Sequence, residues 1–387
     1  MEKEAMRSHA VMRLGDALLA AGAHKQPKLT SKLLTLLANS FAATALFLTT
    51  LLFTTLLFTG FSHAAEVTLR MHHFLPATSL DQEGWMEPWA EKIEKESNGR
   101  IKVSIYPSMQ LGGKPQQLFD QARNGIVDII WTLPGYTPSR FQMTSVFELP
   151  FVASSAEATS QAFHTFIEKY APEEYQDVHV LSLHTHAAGS FHILGKPIEQ
   201  IADLESLKIR APTRASGEAL RLLGANPLFM PAPEVPQAIS KGVINAALLP
   251  FEVVPSLKLD ELAESHTLLS GARGLYTATF ILAMNKKKYD SLPDDLKAII
   301  DQNSGIALSK QIGKAMDDFE KVGIALAKKN GNHFYSINAD QLKEWENRVK
   351  PVREDWVAKV NSQNKNGEYL LRQAEDLVTQ YEKSRQL

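Results

Sequence analysis

The sequence predicts an α/β protein of two lobes with strands crossing between them, and three observations carry that reading. Strand-like and helix-like runs alternate along residues 67–131, a second alternating set begins near residue 155, and no Gly/Ser-rich or low-complexity linker separates the two. A length of 387 residues agrees, because single cores stop growing near ~250–300 residues.

Residues 67–73 alternate apolar and polar and read as a half-buried strand. Ser79 is placed to cap a helix in which Trp85, Trp89 and Ile93 recur on one face, and Asn98-Gly99 stops it. Residues 101–106 form the next strand by their Ile, Val, Ile alternation. Residues 114–124 follow as a helix ended by Gly125, and the apolar run 126–131 suits a buried parallel strand. This β-α-β-α-β order predicts a parallel sheet with helices on both faces. Pro134-Gly135 and Pro138 break the chain just past the third strand. Ligands in open α/β sheets sit beyond the C-terminal strand ends, and His72, His73, Trp131, Thr132 and Tyr136 fall there.

The second set opens with a helix over 155–170, then strands over 178–186 and 207–211. Helices over 216–223 and 234–241 end at Gly224 and Gly242, an apolar run covers 243–249, and 277–285 reads as one more strand. Residues 294–330 and 339–386 are mainly helical, the first opened by Pro293-Asp294. Two α/β units joined without a loose linker predict hinge closure over a cleft.

The first 65 residues differ from the rest. No Asp, Glu, Lys or Arg occurs from Leu33 to Ala65, Lys25, Lys28 and Lys32 precede that run, and Ser62-His63-Ala64-Ala65 supplies small residues at a cut site. This pattern predicts a secretory signal peptide over 1–65, with an uncleaved anchor as the alternative and Met6 or Met12 as other starts. The leader holds six basic and three acidic residues. Its removal takes the 41 basic and 43 acidic groups of the chain to 35 and 40, a net of −5 on 322 residues.

Composition excludes several chemistries. Without cysteine there is no disulfide, thiolate metal site, thiol nucleophile or lipid-attached N-terminus. A sequence pI near 6.6 gives no electrostatic footprint for nucleic acid. No nucleotide loop, G-x-S-x-G, H-E-x-x-H or dinucleotide fingerprint occurs, so no catalytic residues, enzyme activity, metal or cofactor are expected. The histidines offer one alternative: His184 and His186, two apart on a strand, together with His72, His73 and His192 form a conceivable zinc cluster.

Arg210 is the stronger candidate. In Lys208-Ile209-Arg210-Ala211-Pro212 a strand would hold it half-buried between apolar neighbours. A desolvated guanidinium needs an anion, and its planar fork matches a carboxylate in two places. A carboxylate ligand or an internal ion pair with Glu234 would each satisfy it.

The segments 100–107, Gln110-Leu111-Gly112 and Gly125-Ile126-Val127-Asp128, with 204–210, 223–227 and Met230-Pro231, resemble in order and spacing the DctP-type solute-binding proteins of TRAP transporters. The similarity spans residues 66–386. It implies an exported protein of two α/β lobes with crossing strands and a long helix spanning both. Such a protein closes on a small organic acid and delivers it to a membrane permease, with a sensor receptor as the other possible partner. The implied lobes are 66–187 with about 275–314, and 188–274 with about 315–387. By position, Arg210 matches the family's carboxylate clamp. Further ligand contacts are implied at His73 and Phe74, at Trp131 and Tyr136, and at His186 and Ser190. The family's Asp-Gly-x-Glu-Asn/Trp-Pro pattern is here 245–250, so a polar contact is replaced by Leu249. The second arginine of the sialic-acid branch, which aligns near Ser190, is also missing. With Phe251, these residues point to a monocarboxylate with a branched or aromatic body, its hydroxyl or keto group met by His73 or His186.

Overall fold

A computed structural model describes residues 40, 65–137, 139–269 and 271–385. The expected leader therefore lies outside the described residues apart from Ser40 and Ala65. Among the described residues no helix is long and apolar enough to cross a membrane.

The chain builds two mixed sheets, one per lobe. The first has the order β2-β1-β3-β10-β4, with β1 Val67–His72, β2 Ile101–Tyr106, β3 Ile129–Thr132, β4 Val178–Thr185 and β10 Thr279–Asn285. The second has the order β11-β9-β5-β8-β6-β7. Its strands are β5 Ser190–Ile193, β6 Lys208–Ala211, β7 Asn226–Phe229, β8 Ala246–Leu249, β9 Ser265–Leu269 and β11 His333–Ile337. Strands β1, β2 and β3 pair in parallel as the β-α-β-α-β order predicts. One strand in each sheet runs against its neighbours: β10 between β3 and β4, and β5 between β8 and β9.

Those two strands mark two of the places where the chain changes lobe. It leaves the first sheet after β4 to enter β5, and returns from β9 into β10. The two crossings touch, since the Gly189 N–H donates to the Tyr276 carbonyl at 3.0 Å. A Cβ on Gly189 would collide with the Tyr276 ring, so glycine is required there. The long helix Gly305–Lys329 reaches both lobes. Its Gly313 lies against the Ala156 carbonyl, 2.5 Å from where a Cβ would stand, and its Gly323 against the Phe251 carbonyl.

Local chemistry explains most boundaries. The Ser155 hydroxyl accepts from the Ala158 N–H and caps helix Ala156–Tyr170. Trp85, Trp89 and Ile93 are buried together as their spacing predicts. Their helix opens with a π turn at Gln82–Met86, with the Ser79 hydroxyl accepting from the Gln82 N–H. Several expectations shift. The apolar run from Ile126 begins outside the sheet, with Ile126 itself 55% exposed, and pairing starts only at Ile129. The helix expected over 294–330 is two, Asp294–Gln302 and Gly305–Lys329, because Gly305 adopts φ 73°.

Candidate functional site

Arg210 stands on β6 between Ile209 and Ala211, both fully buried, and is itself 1% exposed. Its Nε donates to the Met230 carbonyl at 3.0 Å and its Nη1 to the Leu248 carbonyl at 2.8 Å. No ion pair to Arg210 occurs among the described residues, and Glu234, the internal partner weighed from the sequence, is exposed. Two backbone carbonyls fix the fork without neutralising it. A guanidinium has five N–H donors, so beyond these two carbonyls and the adjacent Tyr136 hydroxyl, donors remain for another acceptor.

A tight cavity of about 20 Å³ adjoins Arg210. Phe74, Trp131, Tyr136, His186 and Leu249 line it, as do Tyr276, Phe280 and Glu252. The first sheet supplies the rings. Trp131 on β3 is stacked between Phe74, centroids 5.1 Å apart, and Phe280, 4.7 Å apart. Its Nε1 donates to His184 Nε2 at 2.8 Å. Tyr136 follows the Pro134-Gly135 break, and its hydroxyl accepts from the Ala232 N–H at 3.0 Å, tying the first sheet's loop to the second lobe. Burial pushes the Tyr136 phenol up, while Arg210 beside it opposes that rise.

His186 lines the cavity with both ring nitrogens engaged. Its Nε2 accepts from the Ala278 N–H at 3.0 Å, which leaves the proton on Nδ1, against the Ala187 carbonyl. Burial, aided by the nearby Arg210 charge, lowers its pKa to about 3, so the ring stays neutral. It therefore presents ring surface to the cavity and has no spare nitrogen for a ligand hydroxyl.

Three expected residues lie away from this cavity. His73 Nε2 bonds Gln82 at 3.0 Å, behind the aromatic stack. Ser190 opens β5 directly opposite Leu249, and of the two Leu249 lines the cavity. Phe251 packs among His192, His266 and Phe334 near the long helix. The histidines do not gather on a metal either. His184 is stacked on Trp131 and Phe280, His192 bonds His266 and the Leu249 carbonyl, and among the described residues no group of three His, Asp or Glu converges as a metal site.

Sequence reasoning missed Glu252, Tyr276 and Phe280. Glu252 carried a signal, an acidic residue inside the apolar run 246–254. Tyr276 lies on a crossing segment, which no periodicity marks.

Comparison with known proteins agrees with this architecture. Residues 71–359 match the family model for bacterial extracellular solute-binding protein, family 7, DctP. A TRAP solute binding protein from Rhodoferax ferrireducens, solved with copurified benzoate, is 44% identical with a TM-score of 0.81, covering 82% of this chain and 99% of its own. A marine metagenome TRAP solute binding protein specific for aromatic acid ligands, in complex with 3-hydroxybenzoate, is 45% identical with a TM-score of 0.80, covering 82% and 99%. The transporter protein TsaT of Comamonas testosteroni, described as outer-membrane, is 26% identical over 80% of this chain and 91% of its own. With its two sheets, paired crossings and shared helix, this chain belongs to the DctP family 7 of extracellular solute-binding proteins.

Proposed function

We propose that this chain is the periplasmic binding component of a TRAP transporter and captures a small aromatic monocarboxylic acid, without chemical turnover, for delivery to a membrane permease. One observation carries the reading: a buried Arg210, held by carbonyls and without an ion pair among the described residues, at the wall of a cavity with several aromatic rings in its lining. A single fixed cation suits one carboxylate, and aromatic walls suit a flat apolar body. No second cationic side chain lines this cavity, which disfavours a dicarboxylate. Relatives at 44% and 45% identity hold benzoate and 3-hydroxybenzoate, in line with this choice. The leader supports export, and the ligand, bridging both lobes, would draw them toward the closed form.

A thermal-shift panel of organic acids on the purified protein tests the reading. Benzoate-type acids should raise the melting temperature, whereas succinate and sialic acid should not. Stabilisation by the last two alone would overturn it.

A further inference from the structure

Resting on that reading, one wall of the same cavity has a chemistry that carboxylate capture does not use. Glu252 follows β8 and Pro250, is 1% exposed and lines the cavity. Its Oε2 is buried without a hydrogen-bond partner. The Glu252 N–H donates to Glu320 Oε1 at 3.1 Å, so the long helix brings a second acid to it. A third, Asp81, fully buried, has one oxygen bonded to Trp85 Nε1 at 3.2 Å and the other unpartnered.

Among the described residues no Lys or Arg pairs with any of these three carboxyl groups. Arg210 shares the cavity with Glu252, and Tyr276 is within electrostatic reach of both, yet the two form no ion pair. An ionised Glu252 and a charged Arg210 lining one small cavity would be drawn together strongly. Their separation fits an acid that holds its proton. Burial, with the charges of Asp81 and Glu320 added, acts in the same direction and holds its pKa well above the usual carboxylate range.

We propose that Glu252 is a specificity-determining residue, a neutral carboxylic acid that donates a hydrogen bond to a polar, uncharged substituent on the ligand body, so that the site selects hydroxyl- or oxo-bearing aromatic monoacids over bare ones and rejects diacids. The chemistry is one-sided. A buried donor left without an acceptor weakens an unsubstituted ligand, and a second carboxylate would be desolvated with no second cation lining the cavity to meet it.

The test uses a matched series: benzoate, 3-hydroxybenzoate and isophthalate, titrated calorimetrically into wild type, Glu252→Gln and Glu252→Met. Wild type should bind 3-hydroxybenzoate about tenfold more tightly than benzoate and about a hundredfold more tightly than isophthalate. Glu252→Gln retains an N–H donor and should keep the hydroxyl preference within about threefold. Glu252→Met has no donor and should bring the 3-hydroxybenzoate to benzoate ratio near one. Wild-type protein that takes isophthalate as well as 3-hydroxybenzoate, or a Met variant that keeps the tenfold ratio, overturns the proposal while monoacid binding stands. Should Arg210→Ala bind all three acids as wild type does, the underlying reading falls and the proposal with it. If the Met variant does not fold, the Gln variant decides: a lost preference there, with the donor still present, overturns the assignment.

Discussion

The two sheets meet the same cavity with opposite equipment. The first brings rings: Trp131 between Phe74 and Phe280, with Trp85 edge-on 5.9 Å from Trp131 behind. The second brings one cation, Arg210, held by carbonyls of Met230 and Leu248. The aromatic half is closely packed and bonded whether or not anything occupies the cavity. The cationic half has donors to spare. On the proposed function, the fit to the ligand's ring is coupled to folding of the first lobe, whereas affinity for the acid group is not coupled to folding of the second.

Breaking each half should separate these roles. Trp131→Ala removes a ring buried on both faces and should destabilise the protein by about 3–5 kcal/mol in denaturant melts. Arg210→Ala should cost about a hundredfold in affinity for benzoate-type acids, read by calorimetry, with the melting temperature of the unliganded protein little changed or raised, since an unpaired buried charge is removed. If Arg210→Ala proves as destabilising as Trp131→Ala, the contrast fails. Gly323→Ala forces a Cβ onto the Phe251 carbonyl and should cost about 1–3 kcal/mol in the same melts.

Titration sharpens the comparison most finely. Burial drives His184, His186 and His192 to about 3 and His73 to about 4. Between their unfolded value near 6.5 and those folded values, only the unfolded chain takes up protons, so stability falls as pH falls through that window. Each group changes it by about 1.4 kcal/mol per pH unit. Glu148 and Asp81 go the other way, raised by burial to about 7. Their contribution is complete below the unfolded carboxyl value of about 4 and is lost as pH rises toward 7. Glu148 accepts from the Thr279 N–H and hydroxyl, so Glu148→Gln can keep the packing and remove the titration. In denaturant titrations, the stability difference between pH 7 and pH 4 should be more positive in that variant than in wild type, because one contribution that falls with rising pH is removed. An unchanged slope would refute the assignment.

Much of this arrangement was legible in the sequence, for identifiable reasons. Parallel β1, β2 and β3 follow from alternation and spacing, and the helix at Ala156–Tyr170 from Ser155 and its apolar face. Arg210 stood out because a charge between Ile209 and Ala211 has to be explained. Strands β5, β9 and β11 were not read as independent strands from local pattern, because they are four or five residues long and their pairing is set by partners far along the chain. His73 and Phe251 drew attention as chemistry-bearing neighbours of cavity residues. A strand sends successive side chains to opposite faces, and the chain turns sharply after Pro250, so neither reaches the cavity.

The glycines of the long helix carry a mechanical meaning. Gly313 and Gly323 are ten residues apart, about 15 Å along the axis, and each is notched against backbone, one against Ala156 in the first lobe and the other against Phe251 in the second. Two notches on one rigid rod act as a gauge block. They fix how far apart the two lobes stand along the helix.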